Sequence, residues 1–341
     1  YTENAGATMI DNTTTLSDAD DTHILGATVA ISNGLTSGDV LAAATQNGIS
    51  GVYDSGAGML TLTGTATVAQ YQTALRTVTY SSSSDNPTVT ANSRTVTWAV
   101  TDANSAGACT SVGVTSTISI NAVNDAPTTG NKTLSATEDT AYIFSSDNFS
   151  FSVVEGDNIS KVKITTLENE GTLYVDADND DTYDSGEDVT LNQEVAISNI
   201  ANLQFIAASN ANGTSYATFG FKVSDGIAWS ESAGTNTINV AAVNDAPATG
   251  NKTLSAAEDT VYTFSSSDFL FSDVDGDSIS KIKITTLENA GTLYVDADND
   301  DTYDSGEDVT LNQEVTISNI ANLQFIAQAN KYGIGYATFG F

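Results

Sequence analysis

Basic residues, cysteine, proline and long apolar runs are all scarce in this chain of 341 residues. Ten lysines and arginines face 43 aspartates and glutamates, so the formal net charge is −33. Nucleic acid and anionic membranes are therefore poor partners, because both are bound through basic patches. Cys109 is the single cysteine, so no internal disulfide can form, and stability outside the cell would need another source such as bound metal.

No apolar run approaches the roughly 20 residues of a membrane-spanning helix, so direct membrane insertion is not expected. The first residues, YTENAGATMI, lack an initiator methionine and a signal-peptide pattern, and we expect the chain to be a processed piece of something longer. Hydrophobic residues make up 40% of the chain, which is enough to build cores.

Residues that carry catalysis are also few. His23 is the single histidine and follows an acidic turn, so a Ser-His-Asp triad has poor support. Cys109 has no base beside it in the sequence, and no HExxH motif, phosphate-binding glycine loop or Cys/His cluster occurs. We therefore expect that the chain is not an enzyme.

Alternation of apolar and polar residues is the main periodicity and predicts β-strands. It is clearest in segments 94–100, 116–123, 160–167, 217–223 and 236–243. Short strands at this spacing, separated by Gly, Asn and Asp turns, favour antiparallel β-sandwiches of the Ig-like type, so the fold class is all-β. One segment differs, because Val68, Tyr71 and Leu75 have helical spacing and predict a short helical turn.

A repeat with a period of 120 residues organises the chain. About four in five positions are identical between 131–221 and 251–341. A looser unit precedes these two, which predicts three β-sandwich domains at 1–126, 127–246 and 247–341 arranged as an end-to-end array. The third stops at Phe341, the equivalent of Phe221, and so lacks its final strand or strands. Either that piece is simply absent from this chain, which we favour, or another chain supplies a strand.

The stretch DADNDDTYDSGED occurs at 176–188 and again, unchanged, at 296–308; we call these the first and second acidic loops. Counted from the first aspartate, oxygen-bearing residues fall at positions one, three, five, seven, nine and twelve, the ligand spacing of a calcium loop. The predicted ligands are Asp176, Asp178, Asp180, Thr182, Asp184 and Glu187, and in the copy Asp296, Asp298, Asp300, Thr302, Asp304 and Glu307. Thr182 and Thr302 would contribute their carbonyl oxygens.

Position six of such a loop is normally glycine, because the backbone turns there through the left-handed region. Here it is Asp181 or Asp301, a residue type that tolerates this conformation better than most. The flanking segments are strand-like rather than helical, so we predict a calcium loop between two strands. The alternative is a solvated acidic turn that only aids solubility.

Other motifs recur near the ends of the repeats: AVNDAP between units, EDT at a unit start, D-x-D-G-D after the first strands, GTLYV in mid-unit and FKVSDG late. In this order the set resembles bacterial cadherin-like or Ig-like tandem repeats of large secreted surface adhesins, of the RTX or biofilm type. The resemblance covers essentially the whole chain, with the first unit as a divergent variant.

In cadherin-like arrays calcium lies where consecutive domains join. The resemblance therefore implies a second junction site built from Glu138, Asn244, Asp245, Asp273 and Asp275. Asp277 of the same D-x-D-G-D motif is a further candidate metal ligand. The first junction would use Glu3, Asn124 and Asp125, but Val153 replaces the first aspartate of its partner motif and leaves Glu155 and Asp157. We expect that first junction to be weaker or empty.

The function implied is a calcium-rigidified stalk or extender of a secreted or cell-surface adhesin or matrix protein. Its partners would be calcium ions and neighbouring repeats, possibly of identical subunits. The alternative is a subunit of a self-assembling extracellular filament, sheath or surface layer with strand exchange between subunits.

Overall fold

The structure, a computed structural model, describes residues 1–103 and 107–341. The N-terminal part contains β1 (Thr8–Met9), β2 (His23–Asn33), β3 (Asp39–Ala42), β4 (Ser50–Asp54), β5 (Met59–Thr67), α1 (Val68–Leu75), β6 (Thr79–Ser82), β7 (Ser93–Asp102) and β8 (Val114–Ser119). These strands form a five-stranded sheet in the order β4-β5-β2-β7-β8 and a three-stranded sheet in the order β1-β6-β3.

The two N-terminal sheets pack as a sandwich around one core. Alternation decides which side chains enter it, and β2 pairs with β7 so that Val29 lies opposite Trp98. These two residues pack with Leu41 and Tyr80 of the smaller sheet. The predicted all-β sandwich is therefore present here, and the alternating pattern is typical of antiparallel sheets with one buried and one solvated face.

The predicted helical turn is confirmed as α1. Thr67 caps it, because its hydroxyl accepts a hydrogen bond from the amide of Gln70 at 3.3 Å and the Gln70 side chain accepts one from the Thr67 amide at 2.9 Å. Tyr71 and Leu75 are buried against the core, as their spacing predicts.

A buried ion pair also lies in this sandwich. Arg94 Nε donates to Asp39 Oδ2 at 2.6 Å, and both side chains are 0% exposed. The Tyr80 hydroxyl donates to the other carboxylate oxygen at 2.6 Å, and burial together with this contact raises the pKa of Tyr80. The pair brings together residues 55 positions apart, so the sequence pattern does not reveal it.

The middle of the chain contains β9 (Thr128–Gly130), β10 (Lys132–Thr137), β11 (Tyr142–Ile143), β12 (Ser150–Ser152), β13 (Lys161–Thr166), β14 (Thr172–Val175), β15 (Glu194–Ala196), β16 (Leu203–Ile206), β17 (Gly213–Ser224) and β18 (Gly234–Ala241). Short 3-10 helices span Ser146–Asn148 and Ile197–Asn202. The sheet orders are β10-β18-β17-β13-β15, β11-β16-β14 and β12-β9.

The C-terminal part repeats much of this pattern with β19 (Ala248–Gly250), β20 (Tyr262–Thr263), β21 (Leu270–Ser272), β22 (Lys281–Lys283), β23 (Thr292–Val295), β24 (Glu314–Thr316) and β25 (Leu323–Ile326). Its 3-10 helices span Ser266–Asp268 and Ile317–Asn322. The sheet orders are β20-β25-β23, β22-β24 and β19-β21. Equivalent strands pair in equivalent registers, as in Tyr142↔Phe205 and Tyr262↔Phe325.

The chain divides into two compact units. The first comprises Tyr1–Leu134, Tyr142–Phe205 and Ala217–Ile238, and the second Ser135–Ala141, Ile206–Tyr216 and Asn239–Phe341. The division into three repeats remains a prediction. In the described part of the chain, no helix is long and apolar enough to cross a membrane.

The predicted strands overlap the observed ones, with small differences at most ends. The larger difference is in segment 116–123, because β8 ends at Ser119. Beyond it the Ile120 amide donates to the Asn92 carbonyl and the Asn121 amide to the Tyr1 carbonyl. The backbone thus leaves the ladder with β7 and joins the N-terminal segment, a long-range contact that local alternation does not report.

Candidate metal centres

The first acidic loop leaves β14, and its first carboxylate is buried. Asp176 is 2% exposed. Its Oδ1 accepts a hydrogen bond from the Asn179 amide at 2.7 Å, and its Oδ2 accepts one from the Asp181 amide at 3.0 Å. The loop is therefore coiled around the side chain of its own first residue, as a metal loop requires.

The predicted ligands of this loop converge in two overlapping groups. Carboxylate oxygens of Asp176, Asp178 and Glu187 lie within 4.8 Å of one another, and so do those of Asp178, Asp180 and Asp184. The second acidic loop brings Asp296, Asp298 and Glu307 together in the same way. The donors are all oxygen, which suits a hard cation.

The later loop positions are held by local hydrogen bonds. The Thr182 hydroxyl and amide donate to Asp180 Oδ1 at 2.6 and 2.8 Å. Glu187 at position twelve accepts from the Ala177 amide through Oε1 at 2.7 Å and from the Asp184 amide through Oε2 at 2.9 Å. Both oxygens of this carboxylate are thereby fixed on the two sides of the loop. Thr302, Asp304 and Glu307 repeat these contacts in the second loop.

Electrostatics within the loop shift the pKa values of neighbouring carboxylates in opposite directions. The charge of Asp180 is the main cause that raises the pKa of Asp178, followed by burial and by Glu187. The pKa of Asp180 is lowered, because the Thr182 hydroxyl and amide stabilise its charge. A nearby positive charge would therefore relieve the repulsion at Asp178. Asp298 and Asp300 show the same two directions.

Position six adopts the left-handed backbone that the spacing predicts. Asp181 has φ 61° and Asp301 has φ 61°. Tyr183, at position eight, stacks edge-on against Tyr174 at 5.4 Å and donates its hydroxyl to Asp188. Asp188 is thus turned toward Tyr183.

The residues predicted for the second junction lie in the second of the two compact units. Glu138 is 1% exposed and accepts from the Val243 amide at 2.7 Å. The Asp245 amide donates to Asp275 Oδ2 at 2.8 Å. Burial raises the pKa of Asp245, and so do the charges of neighbours that include Asp275, Glu138 and Asp273.

Two of the residues predicted for this junction also make local hydrogen bonds. The Asn244 side chain donates to the Asp245 carbonyl at 2.9 Å, and the Asp277 amide donates to Asp273 Oδ1 at 3.0 Å. Asp139, which the sequence did not single out, is the leading charged neighbour of Asp245. Asp139 directly follows Glu138 in the EDT motif, and this adjacency is the sequence feature that could have indicated it.

The first junction, expected to be weak or empty, also collects carboxylates. Oxygens of Glu3, Asp85 and Asp125 lie within 4.8 Å of one another. Glu3 is 4% exposed, and its Oε2 accepts from the Val123 amide at 2.7 Å while its Oε1 has no hydrogen-bond partner. Glu155 accepts from the Asp125 amide at 3.2 Å. Burial raises the pKa of Glu3, and the charges of Asp125, Glu155 and Asp85 add to this effect.

Asp85 was missed because it lies in the polar run SSSSDNPT with no metal-ligand spacing around it. A further group lies in the N-terminal sandwich and is formed by Asp18, Asp21 and Asp102. The spacing in LSDADDTHI indicates Asp18 and Asp20, whereas Asp21 and Asp102 carry no such signal. Asn124 donates its side-chain amide to Asp225 at 3.0 Å, so Asp225 acts there as an acceptor.

Comparison with known proteins adds one sequence relative and several structural neighbours. No family model matches the chain. Halomucin of Haloquadratum walsbyi is 46% identical over 91 residues, a match that spans 25% of this chain and 1% of halomucin.

Among solved structures, a protocadherin gammaB7 EC3-6 cis-dimer covers 86% of this chain and 59% of its own at 12% identity and a TM-score of 0.38. Drosophila N-cadherin EC1-4 covers 97% of this chain and 64% of its own at 8% identity and a TM-score of 0.30. At TM-scores this low the fold class is not inferred from these neighbours, and the all-β assignment follows from the antiparallel strand pairing itself.

Proposed function

We propose that this chain is a calcium-binding extracellular repeat region that acts as a rigid stalk or extender of a bacterial surface adhesin or matrix protein. One observation carries the proposal. The same acidic loop occurs twice without a change, and its first carboxylate is 2% exposed in both copies. A buried carboxylate among other carboxylates is costly unless hydrogen bonds and a cation compensate it.

The donor set supports calcium over other metals. Zinc sites rely mainly on cysteine sulfur and histidine nitrogen, whereas the groups named above contain carboxylates alone. Calcium takes six to eight oxygens in a flexible shell, and magnesium demands a stricter octahedron. Extracellular modules bind calcium with dissociation constants of order 0.1–1 mM, so such sites fill outside the cell. The sequence identity to a segment of halomucin, a protein named as a mucin, also favours an extracellular location.

A mechanical role follows from where the carboxylates lie. Three repeats, 1–126, 127–246 and 247–341, would meet at segments that carry Asp125 and Asp245. Burial is the main cause of the raised pKa of Asp245, and the charges of neighbours that include Asp275 and Glu138 add to it, so these carboxylates repel one another without a cation. A shared cation removes this repulsion and ties the linker to the residues on both sides of it.

The test is small-angle X-ray scattering of the full chain in calcium, in magnesium and in chelator. We expect a larger maximum dimension in calcium alone, and we expect Glu138→Gln to reduce the change. The matched control is Glu258→Gln, because Glu258 is the repeat equivalent of Glu138 but is exposed. Equal dimensions in all three buffers would overturn the stalk. Calcium-dependent growth into oligomers would favour the filament, sheath or surface-layer alternative.

A further inference from the structure

Two buried glutamines contact the acidic loops from the strands that pair with β14 and β23. Gln204 on β16 and Gln324 on β25 are each 1% exposed. Neither lies in a ligand motif, and each is 28 residues from the first aspartate of its loop. A buried amide must satisfy its hydrogen-bonding groups, so its partners indicate what it does.

The partners of Gln204 lie on both sides of it. Its Nε2 donates to Asp176 Oδ2 at 3.2 Å and to Asp181 Oδ1 at 3.3 Å. Its Oε1 accepts from the hydroxyl of Tyr174, a side chain 0% exposed, at 2.9 Å. Gln204 thus links the β14 tyrosine to positions one and six of the loop.

The second loop reproduces the arrangement in full. Gln324 Nε2 donates to Asp296 Oδ2 at 3.2 Å and to Asp301 Oδ1 at 3.3 Å. Tyr294, which is the direct cross-strand partner of Gln324, donates its hydroxyl to Gln324 Oε1 at 2.8 Å. The same three contacts in both copies define what we call the loop tether: Tyr174, Gln204, Asp176 and Asp181, and their equivalents.

The tether accounts for the aspartate at position six. Glycine there would adopt the left-handed backbone without strain, but it would offer no acceptor to the glutamine. Asp181 accepts the left-handed conformation and gains a hydrogen bond to the sheet. The departure from the usual loop pattern therefore supplies a second attachment point.

We propose that Gln204 and Gln324 are positioning residues that fasten the acidic loops to the sheet and hold the first carboxylate in its ligand orientation before a cation arrives. This inference rests on the proposed role of the loops as calcium sites. Neither glutamine is a proposed ligand. Each would act through Asp176 or Asp296, whose carboxylates also accept hydrogen bonds from loop amides.

The first experiment compares the full chain with Gln204→Met, which keeps the size of the side chain and removes its hydrogen bonds. The matched control is Gln193→Met, because Gln193 caps the Thr190 amide just after the same loop but does not touch Asp176. The second loop is an unchanged internal reference. Calcium titration should show the first loop weakened by about tenfold or more, the usual effect of removing an outer-shell partner, while the second loop keeps its affinity.

A second readout is independent of calcium binding. Hydrogen exchange of the metal-free chain should be faster at the Asn179, Asp180 and Asp181 amides in Gln204→Met and unchanged in Gln193→Met. The two loops have identical sequences, so their peptides must include either Glu170 or Ala196 in the first copy, and Ala290 or Thr316 in the second, to differ in mass. If Gln204→Met exchanges faster but the parent chain binds no metal, the loop tether is supported and the proposed calcium-binding function is refuted.

Two further variants isolate the attachment at position six. Asp181→Asn and Asp181→Gly remove the same charge and both tolerate the left-handed backbone, but only asparagine keeps an acceptor for Gln204. We expect the asparagine variant to preserve amide protection and the glycine variant to lose it. The tether is refuted if Gln204→Met lowers stability while loop affinity and loop exchange match the parent chain, since Gln204 would then only satisfy Tyr174.

Discussion

Replacing Asp298 by asparagine should change stability in opposite directions with and without calcium. Asp298 lies at position three of the second acidic loop, and the charge of Asp300 is the leading cause of its raised pKa. No hydrogen bond within the described residues uses its side chain, so the substitution removes repulsion and loses no partner. In chelator the variant should therefore melt above the parent chain. In calcium it should gain less, because a ligand oxygen has lost its charge.

The size of the calcium effect follows from linkage. At a hundredfold excess over the dissociation constant, one site stabilises the folded state by about 2.7 kcal/mol, and a tenfold weaker site by about 1.4 kcal/mol. The difference of about 1.3 kcal/mol corresponds to roughly 5 °C in Tm, at about 4 °C per kcal/mol for a domain of roughly 100 residues. Asp298→Asn should thus narrow the calcium-induced rise in Tm by about that amount.

Calorimetric melts in chelator, calcium and magnesium measure both effects. The control is Asp308→Asn, which removes the same charge from the same loop at a residue that accepts from the Tyr303 hydroxyl. It should leave the calcium-induced rise in Tm largely intact. If Asp298→Asn lowers Tm in chelator and keeps the full calcium response, then Asp298 is a structural turn residue and the metal-loop reasoning fails.

Three other outcomes are expected. Asp85→Asn should reduce calcium stabilisation of the N-terminal part without lowering its Tm in chelator, and an unchanged calcium response would show that Asp85 is not a ligand. Asp39→Asn should cost about 3–5 kcal/mol in urea unfolding because it leaves Arg94 buried without its counter-charge; a cost under about 1 kcal/mol would contradict this. In chelator, Glu3 and Asp245 should contribute less to Tm as pH rises from about 4 toward about 7, because their raised pKa values mean that the folded state binds these protons more tightly than the unfolded state. Groups with a lowered pKa, such as Asp180, act in the opposite direction. Calcium competes with the protons of Glu3 and Asp245, so the calcium-induced rise in Tm should grow over this pH range, and parallel pH profiles in melts with and without calcium would refute the assignment.

Sequence patterns predicted what depends on neighbours along the chain. Alternation gave the strands around Trp98 and Val223, helical spacing gave α1, and the carboxylate spacing gave a coiled loop with Asp181 in the left-handed region. Each of these properties is decided within about a dozen residues. The 120-residue repeat then extended the prediction from one loop to its copy, and the strand registers of the two agree.

What the sequence did not reveal depends on contacts between distant segments. Asp85 meets Glu3 across about 80 residues, and Gln204 meets Asp176 across 28. No spacing rule reports either contact, because both arise only after the strands have paired. The glutamine is especially hard to find, because Gln204 lies between Leu203 and Phe205, where alternation predicts a solvent-facing polar residue, yet it is 1% exposed.

The aspartate at position six also affects the unfolded chain. A glycine there would sample many backbone conformations before folding, and all of that freedom would be lost when the loop closed. Asp181 and Asp301 restrict the unfolded ensemble, and for such a restriction the gain in folding free energy is about 0.4–1 kcal/mol when the native backbone is compatible. The left-handed conformation costs a non-glycine residue of order 1–3 kcal/mol, which is at least as large as this gain. The entropy lost on closing is therefore smaller than in a loop that turns on glycine, but the backbone strain has to be offset by the hydrogen bonds that Asp181 and Asp301 accept from the buried glutamines.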